Sequence, residues 1–199
     1  MLDFNTIFFK LKMFKNKFIY GKKCSIEGSV NINTKYISGG YLKIGNGVTI
    51  RNDVELRIKD NSSIIIGDNV VIDNGVRLLS AQNGKLIIGD GTKIGKNSIF
   101  NAGEDIIIGN NCLISGNVSI NSSTHSFKIK NSLYKNQYKH KKIQIGQNVW
   151  LGANVIILPG VSVGEDSVID ANLIINFNVD KLNIIKNKQQ IDKSEIKKV

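Results

Sequence analysis

Apolar residues recur along most of the chain with a period of six. In each copy an aliphatic residue is followed four positions later by a smaller apolar or hydroxyl residue, with mostly Gly, Asn or Asp between them. An uninterrupted series of first positions runs Ile145, Leu151, Ile157, Val163 and Ile169. This period matches neither the 3.6-residue turn of an amphipathic helix nor the alternation of a half-buried strand. It predicts short strands joined by tight bends, because Gly, Asn and Asp tolerate the left-handed backbone that a bend requires.

Three strand-and-bend units close one triangular coil of 18 residues, which is the spacing from Ile145 to Val163. Earlier coils are longer, since Ile44, Ile66 and Ile88 lie 22 residues apart, and we expect the extra residues to bulge from a corner. Thirteen hexads keep this register, which argues against a sandwich of ordinary strands. Stacked coils bury a continuous column of aliphatic side chains. The pattern therefore predicts an all-β solenoid.

The stretch from Ile145 to Leu173, IGQNVWLGANVIILPGVSVGEDSVIDANL, resembles the signature of the hexapeptide-repeat acyltransferases. The resemblance spans roughly residues 24–178 and is strongest to bacterial sugar and polysaccharide O-acetyltransferases of the galactoside, maltose and sialic acid types. It implies a left-handed parallel β-helix and acetyl-CoA as the acetyl donor. It also implies a hydroxyl of a cell-surface carbohydrate as the acceptor, and a homotrimer with active sites between subunits.

Two histidines, His125 and His140, lie in or beside the segment that interrupts the repeat. His125 follows a hexad that begins at Ile120, at the point where the chain leaves the coil, so we expect its side chain to face a groove. A neutral imidazole is a suitable base for an attacking hydroxyl near pH 7. We therefore predict His125 to be the catalytic base of a direct acetyl transfer. His140 lies in the run KHKK and is predicted to be a solvated spectator or the neighbour of a phosphate.

In the related enzymes a loop and a coil that bears a tryptophan follow the catalytic histidine, and Trp150 comes 25 residues after His125. The resemblance places Trp150 in the wall of the acyl-donor groove, beside the acceptor. A backbone N–H near Gly152 or Ala153 would stabilise the oxyanion. The resemblance assigns the following residues to acetyl-CoA binding: Trp150, Gly152, Ala153, Ala171 and Asn176.

Acceptor binding is expected from two regions. Asn101 resembles the asparagine that contacts the acceptor in sugar acetyltransferases. The excursion over residues 121–142 contains six lysines and is either a solvated loop or an arm over a neighbouring active site. As an arm it would concentrate an anionic ligand, either the phosphates of CoA or an acidic, sialylated glycan.

The formal net charge of +11 is concentrated in three segments: residues 1–23, 126–142 and 179–199 carry +5, +6 and +3. The rest of the chain is therefore mildly acidic, which argues against a nucleic-acid-binding protein.

Both ends are predicted to differ from the solenoid. The first segment, 1–23, has an apolar stripe from Phe4 to Phe18 at helical spacing, which predicts an amphipathic helix. This helix would cap the first coil or, alternatively, lie through residues 1–20 on an anionic membrane surface. The last segment, 179–199, is predicted to be a helical or irregular basic tail without the Gly-Asn-Pro-Ala element of the related enzymes.

Composition excludes several classes. Two cysteines cannot form a disulfide scaffold, and no apolar run approaches the roughly 18 residues of a membrane span, so a cytoplasmic enzyme is expected. Two histidines are too few for the three-histidine zinc site of a γ-class carbonic anhydrase, and no metal is expected. Two alternatives remain: an N-acetyltransferase that acts on an amino-sugar nucleotide, and a non-catalytic β-solenoid scaffold.

Overall fold

The computed structural model describes residues 18–37, 39–125, 138–186 and 189–192, and these form short β-strands joined by turns. The strands, in chain order, are β1 (Phe18–Tyr20), β2 (Ser25–Ile26), β3 (Val30–Ile37), β4 (Leu42–Ile44), β5 (Thr49–Ile50), β6 (Val54–Asp60), β7 (Ser63–Ile66), β8 (Val71–Ile72), β9 (Arg77–Ser80), β10 (Lys85–Ile88), β11 (Lys93–Ile94), β12 (Ile99–Ala102), β13 (Ile106–Ile108), β14 (Leu113–Ile114), β15 (Ser119–Asn121), β16 (Ser123–His125), β17 (Tyr138–His140), β18 (Ile143–Ile145), β19 (Trp150–Leu151), β20 (Ile156–Ile157), β21 (Ser162–Val163), β22 (Val168–Ile169), β23 (Ile174–Ile175), β24 (Asn183–Lys186) and β25 (Gln189–Asp192).

Three sheets form the sides of a prism, and each coil adds one strand to each sheet. Sheet A has the order β1-β4-β7-β10-β13-β18-β21, and sheet C has the order β3-β6-β9-β12-β15-β20-β23. Sheet B has the order β2-β5-β8-β11-β14-β19-β22-β24-β25, and its last pair is antiparallel whereas the other pairs in these three sheets are parallel. The predicted parallel β-solenoid is confirmed.

The core consists of the two inward positions of each hexad. Ile44, Ile66, Ile88 and Ile108 align across sheet A and are at most 1% exposed. Full burial of such a side chain contributes about 1.5–3 kcal/mol by removing it from water. Cys112 is also buried, as its inward position predicts, and desolvation raises the pKa of its thiol.

The bends have the predicted left-handed backbone. Asn69, Asn97, Asn148 and Asn154 all have φ between 55° and 60°. Asn reaches this region at low cost because its short polar side chain hydrogen-bonds locally. The alternation of aliphatic and Asn-rich positions therefore produces both the strands and the corners between them.

Both ends of the solenoid differ from the sequence expectations. Residues 1–17 of the predicted helix lie outside the described residues, but Phe18–Tyr20 form strand β1, paired with β4, so a helix that continues to residue 23 is wrong. At the other end, β24 joins β22 in parallel and β25 folds back on β24. These strands extend sheet B where a helical or irregular tail was expected.

The longer coils and the excursion share one corner of the prism. Residues 59–63 and 81–85 turn the chain from sheet C to sheet A in the early coils, which agrees with the expectation that the extra residues of the longer coils lie at a corner. Two coils after residues 81–85, β16 and β17 leave the solenoid at the same corner as an antiparallel hairpin. No helix that could cross the bilayer occurs in the part of the chain that the structure describes.

Candidate active site

The hairpin of β16 and β17 gathers four chemically active side chains on one face. Its register pairs Ser123 with His140 and His125 with Tyr138. Side chains alternate between the faces of a strand, so these four residues point to the same side. The sequence places them there because STH and YKH flank the excursion with the same spacing of two.

A cavity of about 360 Å³ lies beside this face and extends over three coils. Leu79, Asn101 and Asn121 contribute from adjacent strands of sheet C, where Leu79 pairs with Asn101 and Asn101 pairs with Asn121. His125 and His140 line it from the hairpin. The structure therefore brings two predicted site residues, His125 and Asn101, to one cavity.

His125 is exposed, and no described residue hydrogen-bonds its ring. Its ring centroid lies 4.4 Å from that of Tyr138, at an interplanar angle of 40°. Tyr138 thus provides a contact on one side of the imidazole, and none of the residues that the structure describes occupies either ring nitrogen. This is the arrangement that a base for an external hydroxyl requires.

His140 is half-buried and lines the cavity, so it is less solvated than the sequence suggests, while its role as spectator or phosphate neighbour stays a prediction. Its Nδ1 lies 2.9 Å from the Ser123 hydroxyl oxygen, and its ring stacks on Tyr138 with the centroids 5.9 Å apart. Gly103 packs closely on this pair: a Cβ there would overlap the Ser123 oxygen and lie 2.8 Å from His140 Nδ1. The sequence analysis missed Ser123 and Tyr138, although the spacing of two on each side of the excursion was a usable signal.

The residues predicted to bind acetyl-CoA lie mainly at another edge of the prism. Trp150 is 48% exposed on the outer face of sheet B, next to the equally exposed Leu113, and its Nε1 donates to the Ser115 hydroxyl at 3.2 Å. Gly152 and Ala153 follow at the corner between sheets B and C.

Ala171 occupies that same corner one coil later. A Cβ on Gly152 would lie 2.6 Å from the Ala171 nitrogen, so the two turns are in close contact. The Gly152 N–H donates to the Ile169 oxygen at 2.8 Å and is used by the sheet. Of the two backbone N–H groups predicted to stabilise the oxyanion, Gly152 is therefore already hydrogen-bonded, and Ala153 is the remaining candidate.

One chain does not unite the two predicted halves of the site. Within the described residues, neither Trp150 nor Gly152, Ala153 or Ala171 lines the cavity, because sheet C lies between their corner and the hairpin. Asn176 follows β23 at the same corner as the hairpin but does not line the cavity either. Over the described ranges, no group of three or more His, Cys, Asp or Glu side chains is placed to hold a metal ion.

The repeats match a known family. Residues 58–80, 85–122 and 142–176 match the family described as the hexapeptide repeat of succinyl-transferase. These three segments of the chain therefore resemble the hexapeptide repeats of that family. The match stops at residue 122 and resumes at 142, so it brackets the hairpin that carries His125 and His140. The candidate site thus lies where this hexapeptide-repeat chain departs from its repeat.

One curated relative and two solved structures show what the chain is similar to. The galactoside O-acetyltransferase of Lactococcus lactis is 41% identical over 75 residues, which are 38% of this chain and 36% of that protein. The chain spans little more than a third of the length of this and the other curated relatives that it matches at 36–41% identity.

The two solved structures show the same fold at low identity. The polysialic acid O-acetyltransferase OatWY is 23% identical, with a TM-score of 0.56 over 87% of both chains. AntD, an N-acyltransferase from Bacillus cereus solved with dTDP and 3-hydroxybutyryl-CoA, is 20% identical, with a TM-score of 0.56 over 94% of this chain and 91% of that one.

Proposed function

We propose that this protein is an O-acetyltransferase that transfers an acetyl group from acetyl-CoA to a hydroxyl of a carbohydrate. The observation that carries the proposal is the cavity in which His125 lies with Asn101 at the interruption of the coil. The similarity to a galactoside O-acetyltransferase supports a hydroxyl as the acceptor.

His125 acts as the general base. Its neutral ring takes the proton of the acceptor hydroxyl, and the oxygen attacks the thioester carbonyl carbon. The tetrahedral intermediate then collapses, the C–S bond breaks, and the CoA sulfur receives the proton from the imidazolium. The N–H of Ala153 stabilises the oxyanion, and Asn101 holds the acceptor. Because the thioester is already activated, the transfer needs no acyl-enzyme.

The donor half of the site comes from a second copy of the chain in a homotrimer. A cyclic assembly pairs one surface of a subunit with a different surface of the next. This suits a chain whose hairpin corner carries the base, while Trp150 lies on sheet B and Ala153 and Ala171 lie at the corner between sheets B and C. Trp150 and Leu113, each 48% exposed, provide apolar surface for such a contact, and Trp150 walls the groove of the donor.

Local positive charge favours an anionic ligand at this site. Three exposed lysines lie beside the cavity: Lys139 on the hairpin, and Lys141 and Lys142 directly after it. A cluster of like charges beside a cavity raises the local concentration of an oppositely charged ligand. The phosphates of CoA and the carboxylates of an acidic, sialylated cell-surface glycan both fit this charge. A cytoplasmic location, where acetyl-CoA is made, belongs to the same proposal.

The test of the proposed function is the variant His125→Ala. We expect kcat for acetyl transfer to fall by about 10²–10⁴-fold, because the proton would then leave without a positioned base. Acetyl-CoA consumption with galactosides, sialylated oligosaccharides and amino-sugar nucleotides measures the rate. Gln147→Ala, an exposed residue at another corner, is the matched control.

Three outcomes would contradict the proposal. Full activity of His125→Ala would exclude the base. Acetyl groups found by NMR on the nitrogen of an amino sugar would indicate an N-acetyltransferase. The absence of transfer by the wild-type trimer to every acceptor would favour a scaffold.

A further inference from the structure

Two imidazoles face one cavity in different hydrogen-bonding states. His140 Nδ1 lies 2.9 Å from the Ser123 oxygen, whereas His125 has no hydrogen-bond partner among the described residues. The first ring is half-buried and the second is exposed. The two histidines are therefore not interchangeable, and the difference determines what each can offer a ligand.

The direction of the Ser123–His140 hydrogen bond fixes the tautomer of His140. With the Ser123 hydroxyl as donor, His140 Nδ1 is the acceptor of this 2.9 Å contact. A neutral imidazole has one N–H, and with Nδ1 accepting, that N–H must be at Nε2. Neutral His140 therefore presents a hydrogen-bond donor at Nε2 and has no free lone pair for a proton.

The surrounding residues hold this ring in place. Ser123 and His140 lie directly opposite each other in the hairpin, and Tyr138 stacks on the imidazole at an interplanar angle of 22°. Gly103 approaches the pair too closely to accept a side chain. A half-buried donor held by three neighbours is preorganised, which reduces the cost of binding.

We propose that His140 is an acceptor-binding residue whose Nε2–H donates a hydrogen bond to an oxygen of the acceptor sugar, while His125 is the base. The inference rests on the proposed function for the nature of its ligand. Ser123 acts through His140 as a positioning residue. This donor suits a hydroxyl or carboxylate oxygen, which accepts hydrogen bonds. An ammonium group of an amino sugar only donates hydrogen bonds and would find no acceptor at Nε2. The Ser123–His140 pair thus favours oxygen-rich acceptors.

The tautomer can be measured directly on the full chain. Long-range ¹H–¹⁵N correlation spectra at a pH where both imidazoles are neutral should show His140 protonated at Nε2. In Ser123→Ala, His140 should become a mixture of tautomers because the fixed donor is lost. A wild-type His140 protonated at Nδ1 would overturn the proposal. This readout does not depend on enzyme activity.

Two substitutions at His140 distinguish the roles of its two ring nitrogens. His140→Gln places an amide N–H near the position of Nε2, whereas His140→Asn places the amide near Nδ1 and removes the donor to the cavity. We expect the acceptor KM to rise about tenfold in His140→Asn and by less than about twofold in His140→Gln, the scale of one hydrogen bond. The KM for acetyl-CoA should not change in either variant.

The kinetic outcomes are distinct. A loss of kcat by about 100-fold or more in both variants, with His125→Ala still active, would make His140 the base and overturn the assignment. An unchanged acceptor KM in His140→Asn would also overturn it.

A binding titration separates failure of this inference from failure of the proposed function. Lactose and sialyllactose are titrated into His125→Ala, and the Nε2 resonance of His140 is followed. Movement of that resonance supports the inference even if the wild-type protein transfers no acetyl group. An unmoved resonance with both sugars overturns it even if wild-type transfer is observed.

Discussion

At the scale of single residues, the solenoid accepts hydroxyl groups at inward positions because each finds partners in the next coil. Thr92 is fully buried where earlier coils have valine, and its hydroxyl donates to the Gly109 oxygen at 2.9 Å. The Thr92 hydroxyl oxygen in turn accepts a hydrogen bond from the N–H of Cys112 at 3.1 Å. Ser98 makes the corresponding pair of bonds with Ser115 and Val118. Buried polar groups with such partners cost little stability.

The variant Thr92→Val tests this account of the core. Valine has nearly the same shape but leaves the Cys112 N–H without its acceptor, so we expect the free energy of unfolding to fall by about 1–3 kcal/mol. Chemical denaturation measures the change. Val70→Ala, one coil earlier at the same inward position, provides a reference for loss of apolar volume alone. Unchanged or increased stability in Thr92→Val would contradict the role of the hydroxyl.

At the scale of the elements, the corners set how closely the coils can stack. Gly152 lies so near the next coil that an added Cβ would be 2.6 Å from the Ala171 nitrogen and 2.9 Å from its Cα. Backbone cannot move aside as a flexible side chain can. Small residues at this corner are therefore required by packing. Their short side chains also leave the backbone accessible to a ligand.

The variant Gly152→Ala should destabilise the protein by about 1–3 kcal/mol, because the methyl group overpacks the corner. Thermal unfolding followed by circular dichroism checks this. Gly116→Ala is the milder matched control, since its Cβ would lie 3.3 Å from the nearest atom, the Lys96 oxygen, and would require a shift of only a few tenths of an ångström. Equal melting temperatures for the two variants would show that the corner yields more readily than its geometry implies.

At the scale of the whole molecule, the separation of the two corners gives a prediction about assembly. His125 lies on the hairpin, at the corner between sheets C and A. Trp150 lies on sheet B, beside the corner between sheets B and C, so that sheet C separates the two regions. If the site forms between subunits, chains that lack one half can complement chains that lack the other. A site within one chain allows no such rescue.

Co-expression of His125→Ala and Trp150→Ala chains with different tags tests this prediction. Mixed trimers purified through both tags should recover about one third of wild-type activity, because a cyclic trimer of two chain types contains one interface with both residues intact. Light scattering establishes the number of chains. A monomeric protein, or mixed trimers without recovered activity, would contradict a shared site.

The local pattern predicted most of the fold because each hexad determines its own strand and bend. Ile44 and Val48 are buried and Asn69 has the left-handed backbone at the positions that the local repeat specifies, and the neighbouring coils complete the core around them. The ends were harder to predict. Phe18 fits a helical stripe in sequence, but it lies in β1 and pairs with Leu42 of β4. The edge of sheet A would otherwise present unpaired backbone groups, and a strand can pair with them whereas a helix cannot.

The sequence by itself determined the solenoid, its inward residues and the place where His125 leaves it, because these follow from a short period that repeats. Only the tertiary structure decided that Ser123 meets His140, that Asn101 shares their cavity, and that Trp150 lies at a different corner. Such contacts depend on the register of a hairpin and on which corner each coil exposes. These are relations between segments distant in the chain, and the repeat carries no information about them.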